Sequence, residues 1–164
     1  MKVDVEEFEY LNHLLENLRR AKSTLEYSYG ICKKIGVKSK YNEDELDRLE
    51  SMSSKFARLT DLILKQAVKT IDILDLENPP ETMRDAINRA EKKKMVSSAL
   101  KFIEIRKMRN KIAHEYVEEG DLLAIYKFVL ENAPVLFDAV ARIEKYCERY
   151  NHSEPGVGEE RASV

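Results

Sequence analysis

The sequence contains no tryptophan, two cysteines, five glycines and four prolines in 164 residues. Average chains carry roughly 7% Gly and 5% Pro, so turns here are scarce and the segments between them long. That scarcity, with 35% charged residues, argues against sandwiches, barrels and Rossmann-type sheets and predicts an all-α domain. Cys32 and Cys147 both fall within helical patterns and form neither a disulfide framework nor a zinc signature. No stretch approaches the roughly twenty apolar residues of a membrane span. The opening MKVDVEEFEY is acidic and has no signal-peptide apolar run, which predicts a cytoplasmic setting. What is abundant is hydrophobic residue, 43%, enough for a core and too much for a disordered chain. The length suits one domain, expected over residues 1–151, with a disordered tail over 152–164.

The net charge is −2, but it is unevenly spread. Residues 1–83 carry −3, residues 84–111 carry +7 and residues 112–164 carry −6. The basic centre can attract phosphate without a basic protein overall, or it can be a solvated helix face.

Apolar positions Phe8, Leu11, Leu15, Leu18, Leu25, Tyr29 and Cys32 recur at three- and four-residue steps, predicting a helix from Val5 to Ile35 stopped by Gly36. Asn42 and Glu45 have the spacing of a capping box. The helix they open carries Leu46, Leu49, Phe56, Ile63, Ala67 and Leu74 on one face and ends before Asn78-Pro79-Pro80. A short helix over ETMRDAINRA follows, then a longer one from near Ser97 to near Tyr116, with Glu119-Gly120-Asp121 as its turn. The last helical region runs from Leu122 to Tyr150 and is expected to be interrupted or kinked at Pro134. The expected architecture is an up-and-down four-helix bundle with one short extra helix.

The fourth main helix breaks its own pattern. Stepping about 100° per residue from Arg109 places Phe102, Ile105, Ile112, Ala113 and Tyr116 within roughly 60° of it. Arg109 thus stands within the apolar stripe, while Arg106, Asn110 and His114 flank it. Burying one bare charge costs several kcal/mol. These groups are therefore either paired, for example with acids of the first two helices, or they face a cleft or subunit interface. Taken one at a time, each also has an ordinary structural role: a hydrogen-bonded core histidine, paired arginines, a packing tyrosine.

The string Arg109-Asn110-Lys111-Ile112-Ala113-His114-Glu115-Tyr116 resembles the signature of the HEPN superfamily, and RNKIAHEY is similar to the R-x-x-x-x-H-x-Y form of its HepT-type toxins. The likeness extends to the helix order over roughly residues 5 to 150. The resemblance implies a homodimeric, metal-independent endoribonuclease acting on tRNA or mRNA, with no cofactor. It further implies the toxin half of a type VII-like HEPN/MNT toxin–antitoxin system, its active site shared between subunits. On that reading Arg109, Asn110 and His114 are catalytic. Tyr116 matches the tyrosine to which the partner MNT-type nucleotidyltransferase antitoxin adds AMP.

The residue chemistry suits the task. An imidazole titrates near neutrality and serves as acid or base. A guanidinium stabilises charge growing on a phosphoryl group. One helical turn separates Asn110 from His114, so its amide can orient the ring or hold phosphate. Arg106 lies outside the family signature and has only a phosphate-binding possibility. Lys92, Lys93 and Lys94 either guide RNA or form a solvated turn. Two other readings exist: a non-catalytic substrate-binding partner of a minimal nucleotidyltransferase, and a helical adaptor whose polar cluster fixes dimer register.

Overall fold

The computed structural model describes residues 1–114 and 119–152. Six α-helices dominate: α1 (Val5–Ile35), α2 (Glu43–Asp61), α3 (Val68–Leu74), α4 (Met83–Lys92), α5 (Ala99–Ala113) and α6 (Glu119–Cys147). A π-helical stretch, Leu62–Ala67, joins α2 to α3 as one rod, and the amide of Val68 donates five residues back to the carbonyl of Ile63. The described residues are all-α apart from one two-residue strand pairing.

Local chemistry sets the ends. Asp4 and Asn42 each open their helix with a reciprocal capping box, to Glu7 and Glu45, which satisfies amide donors a helix start otherwise leaves bare. Gly36 closes α1 at φ +72°. With glycine so scarce, two other helix ends place side-chain-bearing residues in the left-handed region: Leu76 at φ 56° after α3 and Lys94 at φ 62° after α4. Both ends have Schellman bonding, Glu77 N–H to Asp72 C=O and Met95 N–H to Ala90 C=O, so the last carbonyls are satisfied without glycine.

Contacts along the helices fix their directions. Cys32 donates to the Arg48 carbonyl and Lys55 to Ser28 Oγ, so α1 and α2 run antiparallel. Tyr29 stacks edge-on against Phe137 and Arg19 pairs with Glu144, so α6 runs antiparallel to α1. Phe56 meets Phe128 on the same side, making α6 parallel to α2. Arg109 of α5 reaches Asp61 at the end of α2. The core between these helices is apolar and closed, with Leu18, Leu25, Phe56, Ile63, Phe102, Val129 and Ile143 among its fully buried residues. At one end Lys2 and Val3 pair in parallel with Asn151 and His152, bringing the two described ends of the chain together.

Three boundaries differ from the sequence reading. The second expected helix is divided by the π-helical stretch. Pro134 lies inside an uninterrupted α6, although it removes one bond from the ladder. Helix α5 stops at Ala113, short of Tyr116, because His114 turns extended at φ −76°, ψ 134°. Helix α6 starts at Glu119, earlier than the expected Leu122, so the expected Glu119-Gly120-Asp121 turn is helical. Tyr116 and the expected tail beyond His152 lie outside the described residues. Among the described residues no helix is long and apolar enough to cross a membrane.

Candidate functional site

Helix α5 is capped by Ser98, whose hydroxyl accepts from the Lys101 amide, and its burial follows the sequence stripe. Phe102 and Ile105 are fully buried, while Lys107 and Lys111 face solvent. Arg109 continues the buried stripe, yet it is a cation. Its solution is a forked pair with Asp61: Nε to Oδ1 and Nη2 to Oδ2, both 2.7 Å. Two parallel charge-assisted bonds of this kind are among the strongest side-chain contacts available. The side chains remain 24% and 32% exposed, respectively, so the pair is half-buried and reachable by solvent. The carboxylate holds Arg109 further above the usual guanidinium range and thus fully protonated. Asp61 also lies 3.5 Å from Lys65, and Arg109 Nη1 makes a long, 3.5 Å contact to Asn110 Oδ1.

Asp61 is the last residue of α2, immediately before the π-helical stretch. Such stretches recur at functional sites because they re-aim side chains within a helix. Pairing of the arginines with acids of the first two helices is one of the two alternatives the sequence leaves open, and Asp61 is such a partner for Arg109.

His114 sits where α5 gives way to extended chain. It is exposed, and its imidazole has no side-chain partner among the described residues. It lines a cleft of about 290 Å³ with Ile112, Glu50, Ser53, Ser54 and Tyr126. Arg109 is not part of that wall. Arg109 stands within α5 and His114 just past its end, and the two do not share that cleft. Arg106 and Asn110 are exposed on the same helix. Tyr116 lies outside the described residues.

The lysine run divides. Lys92 and Lys94 face solvent. The ammonium of Lys93 turns inward, with only 11% of its side chain exposed, and meets Asp72 Oδ1 at 2.9 Å and Asp75 Oδ2 at 2.7 Å. Arg89 joins from the other side, donating to Asp72 Oδ2 at 3.0 Å. The hydroxyls of Tyr146 and Tyr150 both donate to Asp75. Sequence reasoning missed this network, although a signal existed. Lys93 continues the stripe of buried Ala86, Ile87 and Ala90, and a charge on an apolar stripe calls for a partner.

Electrostatics bind the network tightly. Burial pushes the Asp75 carboxyl up, but hydrogen bonds from Lys93, Tyr146 and Tyr150 outweigh it and leave Asp75 below the usual carboxylate range. Burial likewise pushes Lys93 down, and its bonds to Asp75 and Asp72 outweigh that and raise it. Tyr146 is pushed up to about 12, by burial and by its bond to Asp75. Cys147 is also pushed up to about 12 by burial, and burial raises Cys32. Both thiols thus stay protonated and make poor nucleophiles. Among the described residues no group of three or more His, Cys, Asp or Glu is placed to hold a metal ion.

The geometry therefore offers a solvent-reachable Arg–Asp pair, an unpartnered imidazole on a cleft, and exposed amide and guanidinium groups on one helix. Compared with known protein families, with curated proteins and with solved structures, the chain has no match in any of the three.

Proposed function

We propose that this chain is a HEPN-type endoribonuclease of the HepT kind, a four-helix-bundle protein acting as a homodimer in the cytoplasm. The carrying observation is His114: an exposed imidazole without a partner among the described residues, on a cleft at the end of the helix that bears Arg109. His114 is therefore not a hydrogen-bonded core histidine.

Cleavage through the RNA's own 2′-hydroxyl needs one base and one acid. The base removes the 2′ proton, the 2′-oxygen attacks phosphorus, and the 5′-oxygen leaves with a proton from the acid. The products are a 2′,3′-cyclic phosphate and a 5′-hydroxyl. One imidazole cannot hold both roles in the same step. Two copies of His114 brought together by a twofold axis divide them, which is the physical case for a dimer. Arg109 neutralises charge growing on the phosphoryl oxygens, and Asn110 donates from its amide. To do so, Arg109 exchanges the Asp61 carboxylate for phosphate.

Purified wild type is expected to cut tRNA or mRNA in the presence of a chelator. His114→Ala is expected to lose about 10²- to 10⁴-fold of that rate with unchanged melting temperature. Equal cleavage by both proteins, or none by wild type, overturns the reading. Silencing by AMP transfer to Tyr116 is the companion proposal. Incubation with the MNT-type nucleotidyltransferase and ATP adds AMP mass to wild type and none to Tyr116→Phe, and equal labelling refutes it.

The Arg109–Asp61 fork favours a second reading. An arginine already occupied by a carboxylate suits a non-catalytic substrate-binding partner of a minimal nucleotidyltransferase, in which Arg109 is scaffolding. That reading predicts AMP transfer to this chain or a stable complex with the transferase, with RNA left intact.

A further inference from the structure

At the end of the molecule remote from His114, the loop after α4 and the last turns of α6 enclose a cleft of about 460 Å³. Its walls carry Lys93, Lys94, Arg142, Lys145 and Arg149 against one carboxylate, Asp138. Lys93 is spent on Asp72 and Asp75, and Asp138 holds Arg142 at 2.7 Å. Of the neighbouring carboxylates, Glu144 is committed to Arg19 and Glu91 to the Ala99 amide, and Glu148 is exposed but outside the cleft lining. Lys94, Lys145 and Arg149 remain as three cations that no carboxylate among the described residues pairs with.

Arg149 is held ready. Its guanidinium carbon lies 3.5 Å from the centre of the Tyr146 ring, and its Nε donates to the Tyr146 carbonyl at 3.0 Å. The Tyr146 hydroxyl is anchored in turn on Asp75. The terminal nitrogens of Arg149 are left with no partner among the described residues, fixed in direction by stacking. Arg142 is held similarly, by Asp138 and by the Lys94 carbonyl. The pre-set guanidinium of Arg149 and two flexible ammonium groups around one open cleft form a receptor for phosphate oxygens.

We infer that this cleft is a second RNA-binding site, engaging backbone phosphates away from the cutting residues; this rests on the reading that RNA is the substrate. The separation of the two clefts suits a polynucleotide that reaches both. Leu122 lines the His114 cleft and Lys145 the basic one. They are 23 residues apart on α6, about 35 Å at 1.5 Å per residue. A single stacked strand covers that span in about ten nucleotides at roughly 3.4 Å each. One ligand can occupy both clefts only if it is a chain of phosphates.

The test is equilibrium binding of a fully 2′-O-methylated single-stranded RNA, which lacks the attacking hydroxyl, across a series of salt concentrations. Lys94→Gln/Lys145→Gln is compared with wild type and with Lys33→Gln/Lys34→Gln, an equal charge change on exposed residues at the far end of α1. All four lysines are exposed, so both variants keep the fold. The first pair is expected to bind about tenfold more weakly at low salt, with a slope of log affinity against log salt shallower by about 1.5. The control pair is expected to match wild type. Equal losses in both pairs, or none in the first, overturn the cleft while leaving the nuclease reading standing. Wild type that binds through the cleft but leaves native RNA uncut supports the cleft and removes the nuclease reading. No binding by wild type removes both.

Discussion

The two ends of the rod formed by α2 and α3 handle charge in opposite ways. Toward the α3 end, Asp72 and Asp75 expose 5% and 8% of their side chains, and each accepts from more than one donor. Arg89, Lys93, Tyr146 and Tyr150 close around them. Midway along the rod, Asp61 and Arg109 satisfy each other but stay open to water, and toward the α1–α2 turn His114 has no partner among the described residues. Buried ionic groups are tolerable only when all their bonding capacity is met. The first cluster meets that condition and ties α3, α4 and α6 together. The second leaves capacity unused, and unused polar capacity at the surface is what a ligand can take up.

Replacing Lys93 by Met leaves Asp72 and Asp75 buried with the ammonium gone. Removing one partner from such a cluster costs about 3–5 kcal/mol, so denaturant unfolding should show a large loss of stability. A loss under 1 kcal/mol would erase the distinction between the two clusters. At the open site, Asp61→Asn should cost only about 1 kcal/mol, as half-exposed pairs do. It should also leave RNA affinity equal to or above wild type, because Arg109 is released to phosphate. Arg109→Ala should lower RNA cleavage about 10²-fold or more. If both variants lose the same stability and neither changes RNA binding, the fork is scaffolding.

The smallest effect is in pH. Tyr146 ionises in the unfolded chain near 10 and in the folded protein near 12, so its contribution is complete below pH 10 and lost as pH rises from 10 toward 12. The raised Lys93 acts with the same sign in the alkaline range. The lowered Asp75 acts at the other end: its contribution is present above its ordinary value of 3.8 and is lost on acidification below it. Melting temperature against pH should be flat between these limits. A steep fall already at pH 8 would show that the cluster is not held as described.

What the sequence disclosed depended on the range of the interaction. The span Val5–Ile35, its stop at Gly36 and the Asn42–Glu45 box are local, encoded within a few residues, and read correctly. The placement of Arg109 in an apolar stripe was equally local, and so was the need for either a partner or a polar cleft. Which acid answers it was not, since Asp61 lies 48 residues away. Lys93 shows the same limit. In a run of three lysines it reads as an RNA guide or a solvated turn, and only the packing of α3 and α6 around it supplies Asp72, Asp75 and the Tyr146 ring. The π-helical stretch and the left-handed Leu76 and Lys94 left no compositional mark, because an apolar periodicity survives both.

The widened turn at Leu62–Ala67 also sets how the gene can change length. A π-helical turn amounts to one residue accommodated within an otherwise regular α-helix. Losing a single codon there would convert it to ordinary winding and keep the flanking segments in phase. Losing one from the α-helical parts on either side would rotate everything beyond it by about 100° and swing Asp72 away from its donors. Length variation among homologues should therefore concentrate in those six positions, and any chain lacking one of them should still keep its acidic residues facing inward.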